Sequence, residues 1–168
     1  MRHVNLPKFR TAIILTLMIT TIFLLSNDVQ ARHRLGIGVK VINQVPFVTG
    51  SVEWENIKLG VGAFSTTISG VQETYGLVEG KYLFHSRYRE LRPYIGATAI
   101  SISGTSGTTS ALASGAGFLG GIAWDPNPFV NIEFGAGFLS FSELTINSTT
   151  YLIDVDGMIF EAGITWEF

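Results

Sequence analysis

Apolar and polar positions alternate with a period of two along most of the chain beyond Leu25. "RLGIGVKV" puts Leu35, Ile37, Val39 and Val41 on one side, and "VTGSVEW" does the same with Val48, Gly50, Val52 and Trp54. "IKLGVGAF", "GLVEGKYLF", "SGAGFLGGIAW", "FVNIEFGAGF" and "EAGITWEF" repeat the pattern. Such alternation is the period of a strand with two unlike faces. An eighth segment, "RPYIGATAISIS", is apolar on both faces. Turn-rich pieces separate the strands: "NQVP", "EN", "ISGVQE", "SRYRELR", "GTSGTTS", "DPNP" and the longer "ELTINSTTYLID". Their Gly, Pro, Asn, Asp and Ser residues supply turn geometry. Eight strands and seven connections follow. The low-complexity stretch 103–117 reads as a flexible loop running into a Gly-rich strand.

The N-terminus has a different character. Arg2, Lys8 and Arg10 precede an uncharged apolar run, Thr11 to Leu25, and "VQA" follows at Val29 to Ala31. A positive start, an apolar middle and a small-residue cleavage site describe a secretory signal peptide over residues 1–31. The run is shorter than the roughly 20 residues a spanning helix needs. Residues 32–168 then form one domain.

That domain carries eight Lys/Arg and twelve Asp/Glu, a formal charge of −4, without the basic stripe that nucleic acid requires. The chain has no cysteine, which excludes disulfides, thiol catalysis, zinc-thiolate sites and a lipid anchor on cysteine.

Alternation does not say which face points in. The polar faces hold Arg34, Lys40, Glu53, Lys58, Glu79, Lys81, Glu133 and Glu161, interleaved with Gly36, Gly38, Gly60, Gly62, Gly115, Gly117, Gly135, Gly137 and Gly163. Glycine leaves nothing to pack. In the interior of an eight-stranded barrel, just wide enough for its own side chains, it makes room for long charged neighbours. The charges are therefore expected to line the lumen as a mutually paired network.

The aromatics point the same way. With strands alternating up and down, Trp54, Tyr82, Phe84, Trp124, Trp166 and Phe168 gather at one level on the apolar face. Tyr94 begins its segment at that level, so Tyr94, Gly96, Thr98, Ile100 and Ile102 are expected to face outwards with them. Aromatic girdles of this kind mark a membrane interface. The fold expected is all-β, an eight-stranded antiparallel up-and-down transmembrane barrel.

The C-terminal strand carries a resemblance. Glu161, Gly163, Trp166 and Phe168 match in order the C-terminal assembly signal of bacterial outer-membrane barrels, and residues 32–168 resemble the small eight-stranded outer-membrane proteins of the OmpX, OmpA and OmpW kind. The resemblance lies in architecture and assembly signal. It implies export through a cleaved signal peptide, insertion in the bacterial outer membrane by the barrel assembly machinery, contact with membrane lipid and lipopolysaccharide, and a monomer. Three of the four outer connections read as short, which argues against receptor or adhesive roles.

Candidate chemistry is sparse. A deacylase site needs a serine, a histidine base and an orienting acid. After the leader only His33 and His85 remain, and His85 and the adjacent Ser86 would point to opposite faces of a strand. "GAGFLG" (Gly115 to Gly120) lies within a strand and lacks the helix a nucleotide loop requires. "DVDG" (Asp154 to Gly157) lacks the remaining calcium ligands. "NST" (Asn147 to Thr149) reads as loop chemistry. No catalytic residue, metal ligand or cofactor is assigned. The function expected is a non-enzymatic barrel with a plugged polar lumen, serving envelope structure or surface interaction. A lipid-modifying enzyme and a secreted lipocalin-like carrier, which needs its apolar faces inside, are the alternatives.

Overall fold

The alternating segments become eight antiparallel strands in a computed structural model that describes residues 33–84 and 90–168. The expected signal peptide and His85 lie outside those residues. The strands are β1 (His33–Ile42), β2 (Val45–Trp54), β3 (Ile57–Ile68), β4 (Val71–Leu83), β5 (Leu91–Ser106), β6 (Thr109–Asn127), β7 (Val130–Ile146) and β8 (Thr149–Glu167). Each pairs with the next, and β8 closes on β1 from Gly36↔Glu167 to Ile42↔Glu161. Backbone bonds between Leu35 and Phe168 complete the seam, so the barrel has no edge at that end.

The apolar faces point out. Trp54, Trp124 and Trp166 are 52%, 42% and 53% exposed, and Ile37, Leu59, Val78, Phe118, Phe134 and Phe160 are exposed with them. Charged and small residues point in, the reverse of a soluble barrel. Among the described residues no helix is long and apolar enough to cross a membrane; the strands are the crossing elements to consider.

Two expectations are corrected. First, the segment that is apolar on both faces turns the other way. Tyr94 is only 2% exposed, Thr98 and Ile100 are buried, and Ile95, Ala97 and Ala99 face outwards instead. Tyr94 pairs with Gly121, which pairs with Gly135, so its ring meets two positions without side chains and fills the space they leave.

Second, the outer connections shrink to two residues. Asn43–Gln44, Ser69–Gly70, Gly107–Thr108 and Asn147–Ser148 make tight hairpins, with positive φ at every one of these positions except Thr108. Such turns match the right-handed twist of paired strands. Apart from those turn residues, 103–117, expected as a loop running into a Gly-rich strand, and 143–154, expected as a longer connection, lie in strands. Asp154 and Asp156 accordingly lie in β8. The strands are unequal in length: β1 and β2 have 10 residues each, whereas β6 and β8 have 19.

Candidate functional site

Inward positions divide the lumen into two layers. Nearer the end that carries residues 33 and 168, the interior is ionic. Nearer the two-residue turns it is apolar, where Ile42, Phe47, Leu77, Ile100, Leu119, Leu139 and Ile159 pack into one cluster. Strand alternation brings the ions together: Lys40 from β1, Lys58 from β3, Lys81 and Glu79 from β4, Glu133 from β7 and Glu161 from β8 all project to the axis.

Glu133 is the hub. Its carboxylate lies 3.1 Å from Lys40 Nζ, 2.8 Å from Lys58 Nζ and 2.6 Å from Lys81 Nζ. Lys81 also reaches Glu161 at 2.6 Å and Glu79 at 3.5 Å, and Lys40 pairs with Glu79 and, at 3.4 Å, with Glu161. Three ammonium groups thus face three carboxylates in a balanced set. Buried charge costs several kcal/mol per ion unless paired and hydrogen-bonded. Here every ion is paired, and each carboxylate accepts through one oxygen, while Glu79 Oε2, Glu133 Oε1 and Glu161 Oε2 are held by charge alone. Tyr94 donates its hydroxyl to Glu161, and Lys81 Nζ sits 4.5 Å from the centre of its ring.

Towards the terminal end a second group forms. Arg92 grips Glu53 through both guanidinium nitrogens, at 2.6 and 3.1 Å, and meets Asp125 at 2.8 Å. Arg34 pairs with Glu167 at 3.0 Å, and Lys58 donates to Asn131 at 2.7 Å.

All eight charged residues singled out in the sequence therefore project into the lumen. Arg92, Asp125, Asn131 and Glu167 belong to the same network without having been singled out, and Tyr94, expected in the outer girdle, joins it instead. Arg92 and Asp125 sit in segments that read as turns. Glu167 shares a face with Glu161 and was legible by alternation alone. Of the aromatics, Trp54, Tyr82, Phe84, Trp124, Trp166 and Phe168 are exposed on the outer face, with Tyr82 and Phe84 in edge-to-face contact at 5.1 Å. Glu161 and Gly163 face in, and Trp166 and Phe168 face out.

The glycines create the space for these ions. A Cβ on Gly60 would sit 2.8 Å from the Glu79 carboxylate, and one on Gly163 would sit 3.3 Å from Lys40 Cε. Among the described residues no group of His, Asp and Glu could hold a metal ion.

No family model and no curated protein matches the sequence. Solved structures do match. Neisserial surface protein A aligns at a TM-score of 0.53 with 12% identity, over 81% of this chain and 94% of that one. A major outer membrane protein of Thermus thermophilus aligns at 0.57 with 13% identity, over 83% and 100%. The N-terminal β-barrel domain of Pseudomonas aeruginosa OprF aligns at 0.50 with 12% identity, over 81% and 96%. The fold is that of the small eight-stranded outer-membrane barrels. At this identity the likeness extends to the fold alone.

Proposed function

We propose that the protein is an integral barrel of the bacterial outer membrane, non-enzymatic, with a plugged lumen and a role in envelope structure or surface contact. The observation that carries the proposal is the opposite polarity of its two faces: apolar side chains ring the outside while paired ions and an apolar layer fill the inside.

The outer face supports a membrane-sized belt. Along β8 the outward positions run apolar from Trp166 to Phe160 and Met158, then turn polar at Asp156. Ten residues of strand at a tilt near 40° span about 25 Å along the axis, the height of a transmembrane apolar band. On β3 to β7 the belt ends at Ser65, Thr74, Ser101, Ser114 and Ser140, all exposed. Trp54, Tyr82, Phe84, Trp124, Trp166 and Phe168 serve as the interfacial girdle of the opposite boundary. Glu161, Gly163, Trp166 and Phe168 offer the closing strand to the assembly machinery, and the outward belt meets lipid and, at its polar margin, lipopolysaccharide.

Plugging rests on Lys40, Lys58 and Lys81 crossing the lumen to carboxylates on β4, β7 and β8, beneath the apolar cluster. A hydrated ion would have to break several of these pairs at once. Single-channel recording in planar bilayers tests this: the protein should pass no steady current, and stable conductance of its folded form would overturn the reading. Lipid A profiles from cells with and without the gene should be identical; a changed acylation pattern restored by the purified protein would establish an enzyme.

A further inference from the structure

The outward belt is not uniform around the barrel. Among the described residues, the exposed phenylalanines between its two margins are Phe118, Phe134, Phe138 and Phe160, all on β6 to β8. On β2 to β4 the belt is made of Val48, Val52, Leu59 and Val78 with Gly50, Gly76 and Gly80. Aromatic side chains suit the two margins of such a belt, where lipid meets water; midway between them lipid gives no reason for a cluster. Contacts between proteins do, because aromatics are enriched there.

The four phenylalanines surround a socket. Gly120 and Ala136 are direct cross-strand partners, flanked in their rung by Ile95 and Phe160. The next rung towards the two-residue turns pairs Phe118 with Phe138, and the next rung away from them pairs Ile122 with Phe134. Two small residues thus sit inside a ring of six large ones, each between 49% and 78% exposed. Gly121 and Gly135 add only backbone to the floor, and the hollow measures about 520 Å³. A Cβ on Gly120 would find its nearest neighbour, the Tyr94 carbonyl, at 3.5 Å, so nothing from this chain fills the space.

We infer that the β6–β8 face of the belt packs against the same face of a second copy, in a dimer whose two-fold axis runs along the membrane normal. The inference rests on the membrane placement proposed above, goes beyond it by assigning a partner, and departs from the monomer that the resemblance implied. A two-fold in that direction keeps both copies upright and sets equal heights against each other. Neighbouring rungs differ in height by about 5 Å, two residues of tilted strand, so a rim phenylalanine of one copy reaches the socket of the other. An acyl chain runs along the normal and crosses the Phe118–Phe138 and Ile122–Phe134 pairs rather than entering between them. Within lipid, association depends on packing, and small residues let two backbones approach. The six rim side chains with Trp124 and Met158 offer roughly 800 Å², the share one partner brings to an interface of standard size.

The chain has no cysteine, so Thr108→Cys at the β5–β6 turn provides a single site for donor and acceptor dyes. Energy transfer between copies is followed in phospholipid vesicles as added lipid dilutes the protein. Transfer well above the level of random encounter is expected. Gly120→Trp, which fills the socket, should weaken the dimer about ten-fold, and Phe138→Ala, which removes a rim residue, should act in the same direction. Gly80→Trp, the same change on the β4 side of the belt, should leave the dimer unaltered. All three positions face lipid, and the heat-modifiable band on gels reports the folding of each variant. Random-level transfer in a protein that floats with the vesicles overturns the dimer and leaves the membrane placement standing. Transfer that Gly120→Trp and Gly80→Trp affect alike moves the contact off this face and overturns the inference. A protein that does not float with the vesicles overturns the placement and the inference together.

Discussion

Tyr94 on β5 donates its hydroxyl to Glu161 on β8, reaching across Gly121 and Gly135 on the two strands between them. A Cβ on Gly121 would come within 2.6 Å of that hydroxyl, and one on Gly135 would collide with it and stand 3.0 Å from the Glu161 carboxylate. The four residues form one rung, in which an aromatic ring replaces the side chains that two glycines lack.

The first prediction concerns this rung. Tyr94→Phe removes a donor from a buried carboxylate and should cost about 1–2 kcal/mol. Gly135→Ala should destabilise the wild-type chain and do so less in the Tyr94→Phe background, because the colliding oxygen is gone. Urea unfolding in phospholipid vesicles, followed by tryptophan fluorescence, measures both. Additive effects would show that the ring and the glycine do not interact.

A second prediction addresses the hub. Glu133 neutralises parts of three ammonium groups and is only 2% exposed, so Glu133→Gln leaves excess buried positive charge. A loss of about 3–5 kcal/mol is expected. A loss below about 1 kcal/mol, the scale of a solvated pair, would mean that water reaches the cluster. The same urea titration reads it.

The girdle can be tested by depth. Trp54, Trp124 and Trp166 lie at one end of the outer face. In vesicles of brominated lipid, bromines near the headgroup should quench their fluorescence more strongly than bromines near the chain ends. Equal, weak quenching at every depth would remove the tryptophans from the interface.

The fourth prediction separates assembly from stability. Phe168 is 69% exposed on the outer face, and its backbone bonds to Leu35 do not depend on its ring. Phe168→Ala should change stability in vesicles by no more than about 2 kcal/mol, the transfer of one aromatic side chain. Its folded yield in cells should fall several-fold, judged by the heat-modifiable band on gels. An unchanged yield would deny Phe168 a part in recognition by the assembly machinery.

Not all of the structure was equally legible. β1, β2 and β8 alternate cleanly, so the faces carrying Lys40, Glu53 and Glu161 could be read directly. β5 could not, because its inner face is itself apolar. Tyr94, Ile100 and Ile102 look like lipid-facing residues until Gly121 and Gly135 are known to lie beside Tyr94. The upper strands were hidden for another reason. Ser, Thr and Gly in 103–110 have the composition of a loop, yet here the hydroxyls form the outer face of a paired sheet. Gln44 and Ser148 adopt positive φ although neither residue favours it, because strand pairing on both sides imposes a two-residue turn.

Local pattern by itself determined the number of strands, the sides of most of them and the inventory of charges, since a two-residue period is written into neighbouring positions. Only closure of the barrel decided which charges meet, that Tyr94 turns inwards, and where the wall stops short beside β8. Those features depend on register between strands far apart in the chain, and register arises from the fit of side chains across the lumen. Spacing along one strand carries no record of it.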